Sequence, residues 1–431
     1  MRVYVESYGC SQNQGEGAGI ARDLASHGHE LAPAPGDADV GILVTCGVIG
    51  PTEARMVRRW EALSARIPRV VVTGCLVPLR TDLLRGPGRE RTTFVPIREQ
   101  GKLPALLETW RVESSERLPL ALNPLGPTTP SLSEEVVIAQ GCTSGCTYCF
   151  SRLARGRLTS VPLATVVRRV EEAVARGARE VRLTGLDTAA WGEDLPGPER
   201  LPELVMAVSR VPGEFRVRVG MMSPQSLAPH LGRYLDALSE GRAYRFLHLP
   251  LQSGSDRVLA AMHRGYGVEL FRREVEAARH RLPDLHLATD VIVGFPGETD
   301  DDHRATEELL ETVGPETVNV TRFSARPGTP AARLVPLPPR VAKRRSRSIA
   351  SLRHRVSRAR LERWIGVETL GRVLEHGPGE SSVARLANYL PVVLDQRRPL
   401  GREVELRVDG ARSTYLLGSS GTCRSKYPTR P

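Results

Sequence analysis

Lysine is almost missing from this chain: Lys102, Lys343 and Lys426 are the only three in 431 residues, although the formal net charge is +11. The positive charge is therefore nearly all arginine, whose planar guanidinium forks suit phosphate oxygens, and a pI near 9.7 points to a polyanionic partner. No apolar run approaches the roughly 20 residues that span a bilayer, which predicts a soluble protein with no membrane partner. The opening residues Met1-Arg2-Val3-Tyr4-Val5 alternate like a strand and lack the apolar segment of a secretion signal, so the expected compartment is cytoplasmic. Seven cysteines, an odd number, fit reduced thiols and metal ligation better than a disulfide framework. Serine-hydrolase and P-loop motifs are absent as well.

What is present is concentrated. Gly141-Cys142-Thr143-Ser144-Gly145-Cys146-Thr147-Tyr148-Cys149 packs three of the seven cysteines into one turn-rich loop after an apolar run. Thiolates are soft ligands that select zinc or iron–sulfur clusters. Structural zinc wants four ligands, and the loop offers no fourth Cys and no nearby His, so it reads as a three-ligand site with one open position. Zinc and a chance grouping are the alternatives.

The length predicts about three domains. In the first, expected over residues 1–115, Val3-Tyr4-Val5, residues 39–44 and Val70-Val71-Val72 read as strands. Helices are expected over residues 15–24 and from Thr52 to about residue 67. Alternating strands and helices predict a parallel α/β sheet, with Cys10, Cys46 and Cys75 all at strand carboxyl ends, where open sheets bind ligands. A lone strand-end cysteine is ordinarily a small buried hydrophobe; three on one edge, each beside a glycine (Gly9, Gly47, Gly74), read as a second three-thiolate site.

A proline-rich linker is expected over residues 115–132. Beyond it, six strand patterns alternate with helices in a domain expected over residues 133–355, enough for a partial (β/α)6 barrel with functional loops at the strand ends. Those loops carry Gly185-Leu186-Asp187, Gly220-Met221-Met222-Ser223, Pro250-Leu251-Gln252 and Gly294-Phe295-Pro296-Gly297. Glycine admits a ligand close to the backbone, while Asp187 and Gln252 offer acceptors for an amino group or a ribose; ordinary turn chemistry is the competing explanation. Residues 340–363 form the most basic segment, with Ile349, Leu352, Val356 and Leu361 at helical spacing, which predicts a long helix whose arginines are either a binding face or simply solvated. Short strand patterns with glycine turns over residues 361–420 predict a small β-barrel. Cys423, in the polar tail, reads as a bystander.

The cysteine loop resembles the radical S-adenosylmethionine (SAM) superfamily. Together with Tyr8-Gly9-Cys10-Ser11-Gln12-Asn13, Thr45-Cys46 and Gly74-Cys75-Leu76, it resembles the methylthiotransferases within that superfamily. Ile138-Ala139-Gln140-Gly141-Cys142, Arg152-Leu153-Ala154-Arg155-Gly156, Asp187-Thr188 with Gly192 and Asp194, and Arg218-Val219-Gly220-Met221-Met222 look like the archaeal and eukaryotic branch. That branch modifies N6-threonylcarbamoyladenosine at position 37 of tRNA. Two departures stand out: Val44 where the family usually has Asn before Thr-Cys, and Gln14-Gly15 where it has acidic residues shortly after Asn13. Leu386-Ala387-Asn388-Tyr389-Leu390-Pro391-Val392-Val393 and Tyr415-Leu416-Leu417-Gly418 resemble the TRAM domain, an RNA-binding barrel, and Asn388-Tyr389 is expected to face RNA.

The resemblance implies two [4Fe-4S] clusters, one on Cys142, Cys146 and Cys149 and one on Cys10, Cys46 and Cys75. It also implies SAM contacts from Gly185, Asp187, Gln252 and Gly294. The first cluster would split SAM to a 5′-deoxyadenosyl radical that removes hydrogen from adenine C2; the second would deliver methylthio to that carbon. The implied partner is tRNA, read at anticodon-loop adenosine 37; neither an electron donor nor a sulfur donor is named. Methylthiolation of an isopentenyl-type adenosine, or of a ribosomal-protein side chain, is the nearest alternative. A non-catalytic RNA-binding protein with a structural metal centre is the alternative of another class.

Overall fold

The computed structural model describes residues 1–47, 50–115 and 132–420. The expected linker falls almost wholly outside them, as does Cys423. The N-terminal layer runs β1 (Arg2–Ser7), α1 (Ser11–Ser26), β2 (Glu30–Leu31), β3 (Val40–Thr45), α2 (Gly50–Ser64), β4 (Arg69–Gly74), the one-turn α3 (Val77–Arg80), β5 (Thr92–Phe94) and α4 (Leu103–Ser115). Its sheet has the order β2-β1-β3-β4-β5 and is parallel throughout. Every residue of β3 is buried, as expected for a parallel strand covered on both faces. The first helix starts at Ser11, four residues earlier than its pattern suggests. Three glycines weaken its intrinsic propensity, and packing on β1 and on β6 of the next layer overrides that weakness.

The central layer contains β6 (Ser133–Val137), β7 (Ala139–Gln140), α5 (Phe150–Arg155), β8 (Thr159–Ser160), α6 (Leu163–Ala175), β9 (Glu180–Thr184), α7 (Leu201–Ser209), β10 (Arg216–Val219), α8 (Pro224–Leu227), α9 (Leu231–Glu240), β11 (Phe246–His248), α10 (Asp256–Ala261), α11 (Val268–Arg281), β12 (His286–Val293), α12 (Asp300–Val313), β13 (Thr317–Arg322) and α13 (Pro339–Glu362). Two three-stranded sheets, β10-β9-β6 and β11-β12-β13, are joined by a parallel bridge between Val217 and Ala243. The result is the expected six-stranded partial barrel. The last helix lays Ile349, Leu352 and Leu361 inward and touches both β13 and the C-terminal barrel.

That barrel consists of β14 (Glu368–His376), β15 (Ser382–Leu386), β16 (Pro391–Leu394), β17 (Glu403–Ala411) and β18 (Leu416–Ser420), closed in the order β14-β15-β16-β18-β17. Between β15 and β16 Tyr389 takes a left-handed φ of 71° and turns the chain. This turn does not face outward. Asn388 is buried and its Nδ2 donates to the Asp284 carbonyl at 2.8 Å. The Tyr389 ring lies 4.9 Å from that of Tyr244 and 5.1 Å from that of Phe246, with the guanidinium groups of Arg218 and Arg385 over it. Tyr244 and Phe246 stand at the amino ends of the central strands, so the small barrel plugs the floor of the large one, opposite its cysteine loop. The expectation that Asn388-Tyr389 meets RNA is corrected: an aromatic among arginines serves protein packing as readily as base stacking.

Among the described residues, no helix is long and apolar enough to cross a membrane. One buried acid stands apart from the functional edges: Glu274 on α11 is 2% exposed, neither carboxyl oxygen has a hydrogen-bond partner, and burial pushes its pKa up to about 8.

Two outcomes are expected. Asn388→Ala removes the partner of the half-buried Asp284 carbonyl and should destabilise the docked barrel by about 1 kcal/mol, read as faster hydrogen exchange at the Arg245 amide, which donates to Ala387 O. For Glu274 the folded pKa lies above the unfolded one. The side chain is therefore tolerated while protonated in both states, and its cost grows as pH rises from the ordinary carboxyl range through 8. Glu274→Gln should raise the urea midpoint relative to the parent at about pH 9 and not at about pH 4.

Candidate metal centres

The N-terminal cysteines stand at the carboxyl ends of three adjacent strands: Cys10 after β1, Cys46 after β3 and Cys75 after β4. Parallel strands in register deliver their ends to one edge, which is why residues 65 positions apart in sequence can meet. Cys46 and Cys75 are buried and Cys10 is exposed. Cys10 also occupies the N-cap of α1. Asn13, one turn into that helix, organises the group. Its Nδ2 donates to the carbonyls of Tyr8 (2.7 Å) and Thr45 (2.9 Å), leaving Oδ1 4.0 Å from the Sγ atoms of both Cys10 and Cys75. At Gly9, with φ of 111°, a Cβ would come 2.8 Å from the Cys46 Sγ, so any other residue would intrude on the thiols.

The second triplet is held by backbone donors. The Ser144 amide donates to Cys142 Sγ at 3.4 Å, and the Arg152 amide donates to Cys149 Sγ at 3.4 Å, making Cys149 the side-chain cap of α5. Arg264 Nη1 lies 2.9 Å from Cys146 Sγ, and its guanidinium stacks 4.8 Å from the Tyr266 ring centroid. Burial pushes the Cys75 thiol up to about 12 and Cys149 to about 11, and raises Cys142. Metal uptake must therefore displace protons. Among the described residues, no three His, Cys, Asp or Glu side chains converge closely enough to clasp a single ion. Two sets of three soft donors, each without a fourth protein ligand among the described residues, suit a polynuclear sulfide group better than one zinc ion.

One short helix lies between the triplets. Cys149 caps α5. The next residue, Phe150, lies where a Cβ on Gly47 would meet it at 2.7 Å, and Gly47 follows Cys46. Ala154 packs against Cys75 and Ile97. Arg155, the last residue of α5, donates from Nη2 to the Asn13 side-chain Oδ1 at 2.6 Å. Six helical residues rise only about 9 Å, so both triplets share this element as a wall.

The four residues expected to touch SAM fare differently. Gln252 is the most suggestive: it holds a left-handed φ of 67° and its buried Oε1 has no partner, a strained residue offering a free acceptor at a strand end. Asp187 is wholly buried, which raises its pKa. Its oxygens accept from the Ser223 amide at 2.9 Å and the Ser226 hydroxyl at 2.7 Å, so it pins the loop after β10. At Gly185 a Cβ would make only ordinary contacts, the nearest 3.6 Å away. At Gly294, where φ is 76°, a Cβ would come within 2.7 Å of the Ala342 Cβ, so glycine is required there without any ligand. Arg264 and Glu16 are functional-site residues that no sequence motif singled out. Glu16 supplies the acid that seemed lost at Gln14-Gly15, one position further along α1.

Comparison with known proteins identifies the family. Residues 136–310 match the Radical SAM superfamily and residues 2–92 match the Uncharacterized protein family UPF0004. A probable threonylcarbamoyladenosine tRNA methylthiotransferase of Pyrococcus horikoshii is 35% identical over 97% of this chain and 99% of its own length. That of Archaeoglobus fulgidus is 36% identical over 97% and 98%, and the Xenopus laevis threonylcarbamoyladenosine tRNA methylthiotransferase is 30% identical over 97% and 77%. Among solved structures, the radical SAM methyltransferase TsrM of Kitasatospora setae, determined with cobalamin and a [4Fe-4S] cluster bound, shares the fold with a TM-score of 0.57 at 14% identity, covering 77% of this chain and 76% of that one. With identity of this level sustained along nearly the whole chain, the protein belongs to the threonylcarbamoyladenosine tRNA methylthiotransferase family of radical SAM enzymes.

Proposed function

We propose that this chain adds a methylthio group to C2 of N6-threonylcarbamoyladenosine at position 37 of tRNA, with one [4Fe-4S] cluster held by Cys142, Cys146 and Cys149 and a second by Cys10, Cys46 and Cys75. The observation that carries this reading is the shared helix α5, which puts a radical-type cysteine loop and a second thiol triplet on either side of one short element. When bound, the clusters and SAM supply the electron, the hydrogen-abstracting radical and the sulfur.

The chain's own groups bind and orient. Gln252 offers its free Oε1 to a SAM donor group, and Asp187 keeps the Ser223–Ser226 loop in place beneath it. Arg264 sets a permanent positive charge against the Cys146 sulfur. Burial of Cys75 and Cys46 keeps water from the sulfur atoms of the N-terminal set. The partner is read from charge: Arg340, Lys343 and Arg347 are exposed at i, i+3 and i+7 on α13, one face of a helix, where phosphates of a folded RNA can be met. The three units expected at 1–115, 133–355 and 361–420 are then a sulfur-carrying, a radical-forming and an RNA-holding part.

In a deletion strain complemented with variants, mass spectrometry of tRNA nucleosides should find no methylthio derivative when either cysteine triplet is changed to Ala. The two sets separate in vitro. Changing Cys142, Cys146 and Cys149 should also abolish reductive 5′-deoxyadenosine formation, whereas changing Cys10, Cys46 and Cys75 should spare it and leave about half the parent's iron. Methylthiolation that persisted without the N-terminal triplet would overturn the two-cluster assignment. Replacing Arg340, Lys343 and Arg347 with Glu should weaken tRNA binding and flatten its dependence on salt, measured by filter binding at several salt concentrations.

A further inference from the structure

The most deeply buried charge near either triplet is the Arg155–Glu16 pair, with side chains 0% and 4% exposed. Arg155 grows from the helix capped by Cys149, while Glu16 and Asn13 lie one turn apart on the helix capped by Cys10. Arg155 Nη1 donates to Glu16 Oε1 and, at 2.6 Å, to Gln140 Oε1. Nη2 donates to Asn13 Oδ1 at 2.6 Å and to Glu16 Oε2 at 3.1 Å. Gln140 in turn donates to Glu16, and Gln12 donates to Gln140 at 2.9 Å and to the Ala139 carbonyl at 3.2 Å.

Fold stability gives little reason for this arrangement. A fully buried ion pair is about as stable as, or less stable than, an apolar replacement, because two charges must leave water. Its position suggests a different purpose. The Asn13 amide is fixed by two backbone carbonyls, so its oxygen can face only the guanidinium and the thiols. Nη2 therefore lies within about 7 Å of the Cys10 and Cys75 sulfurs, a distance at which a unit charge acts strongly in a buried site. The positive end of the pair is the end that meets the thiols through Asn13, so the pair presents them with a net positive field. A guanidinium keeps that charge at every accessible pH.

We infer that Arg155 is a positioning residue of the radical-forming part that acts on the N-terminal centre: it is the built-in counter-ion of the cluster on Cys10, Cys46 and Cys75, and Glu16 attenuates it. The inference rests on the two-cluster reading above. A positive charge beside an iron–sulfur cluster favours its reduced, more negative form and raises the reduction potential. Opposite changes at the two residues should therefore move the potential in opposite directions, which a merely structural link between the two layers would not do.

The test uses the full-length chain with Cys142, Cys146 and Cys149 changed to Ala, so that only the N-terminal cluster is loaded. Its potential is followed by electron paramagnetic resonance during a dithionite titration. Glu16→Gln should raise the midpoint. Because Arg155→Gln alone leaves Glu16 buried without its partner and endangers folding, the decisive variant is the charge-free pair Arg155→Gln with Glu16→Gln, which should lower the midpoint below the parent's while retaining the parent's iron content. Arg155→Lys, which keeps the charge, should leave the midpoint close to the parent's. A midpoint unmoved in the double variant, or moved in the same direction by both variants, would overturn the counter-ion assignment while leaving the two-cluster reading intact. Failure of the parent background to take up any iron would instead sink both.

Discussion

Two parallel sheets have to present their carboxyl edges to each other for the thiols of both to lie near one place, and the constraint that holds them so is a guanidinium buried where they meet. Arg155 cannot shed its charge and cannot reach water, so every hydrogen bond it makes is obligatory. Those bonds go to α1 of the N-terminal layer and to Gln140 at the base of the cysteine loop. A second buried cluster does similar work nearby: Glu53 of α2 accepts from both Arg80 and Arg326, and the Arg326 guanidinium lies 4.6 Å from the Phe150 ring centroid. Polar contacts that must be satisfied leave few alternative dockings of one layer on the other. They fix direction more than they add stability.

The same layout divides tasks between the two ends of the central barrel. At the carboxyl ends of its strands lie the cysteine loop, Gln252 with its strained backbone and free acceptor, and the N-terminal thiols across α5. At the amino ends the small barrel is anchored through Asn388 and Tyr389. The arginine-rich helix α13 runs between the central layer and that barrel, so a polyanion bound along it would contact both. The thiols thus sit at strand ends and the small barrel at strand starts, consistent with strand ends serving as sites and strand starts as supports.

Much of this was legible in the residues. Cys142, Cys146 and Cys149 fall within eight positions, so their convergence is a property of the local chain. The strand-end placement of Cys10, Cys46 and Cys75 followed from hydrophobic runs that stop at glycine. Other features were not legible. Gly294 looked like a ligand-facing glycine, yet its left-handed backbone and the nearby Ala342 account for it. Asn388-Tyr389 had the composition of a base-stacking pair, and the partners that claim it, Tyr244 and Phe246, lie more than 140 residues earlier. Glu16 was overlooked because the acid was looked for at Gln14-Gly15, whereas helical geometry puts the useful position three residues beyond Asn13.

The sequence by itself determined which atoms can ligate, where strands and helices alternate, and that the surface is positive, because ligand chemistry and periodicity are set by near neighbours. The tertiary structure decided which charges pair and which sulfurs share a wall. Arg155 and Glu16 are 139 residues apart, and no local rule relates them. Only the packing of α1 on β6 and of α5 beneath Cys75 brings a fixed positive charge within reach of the N-terminal thiols.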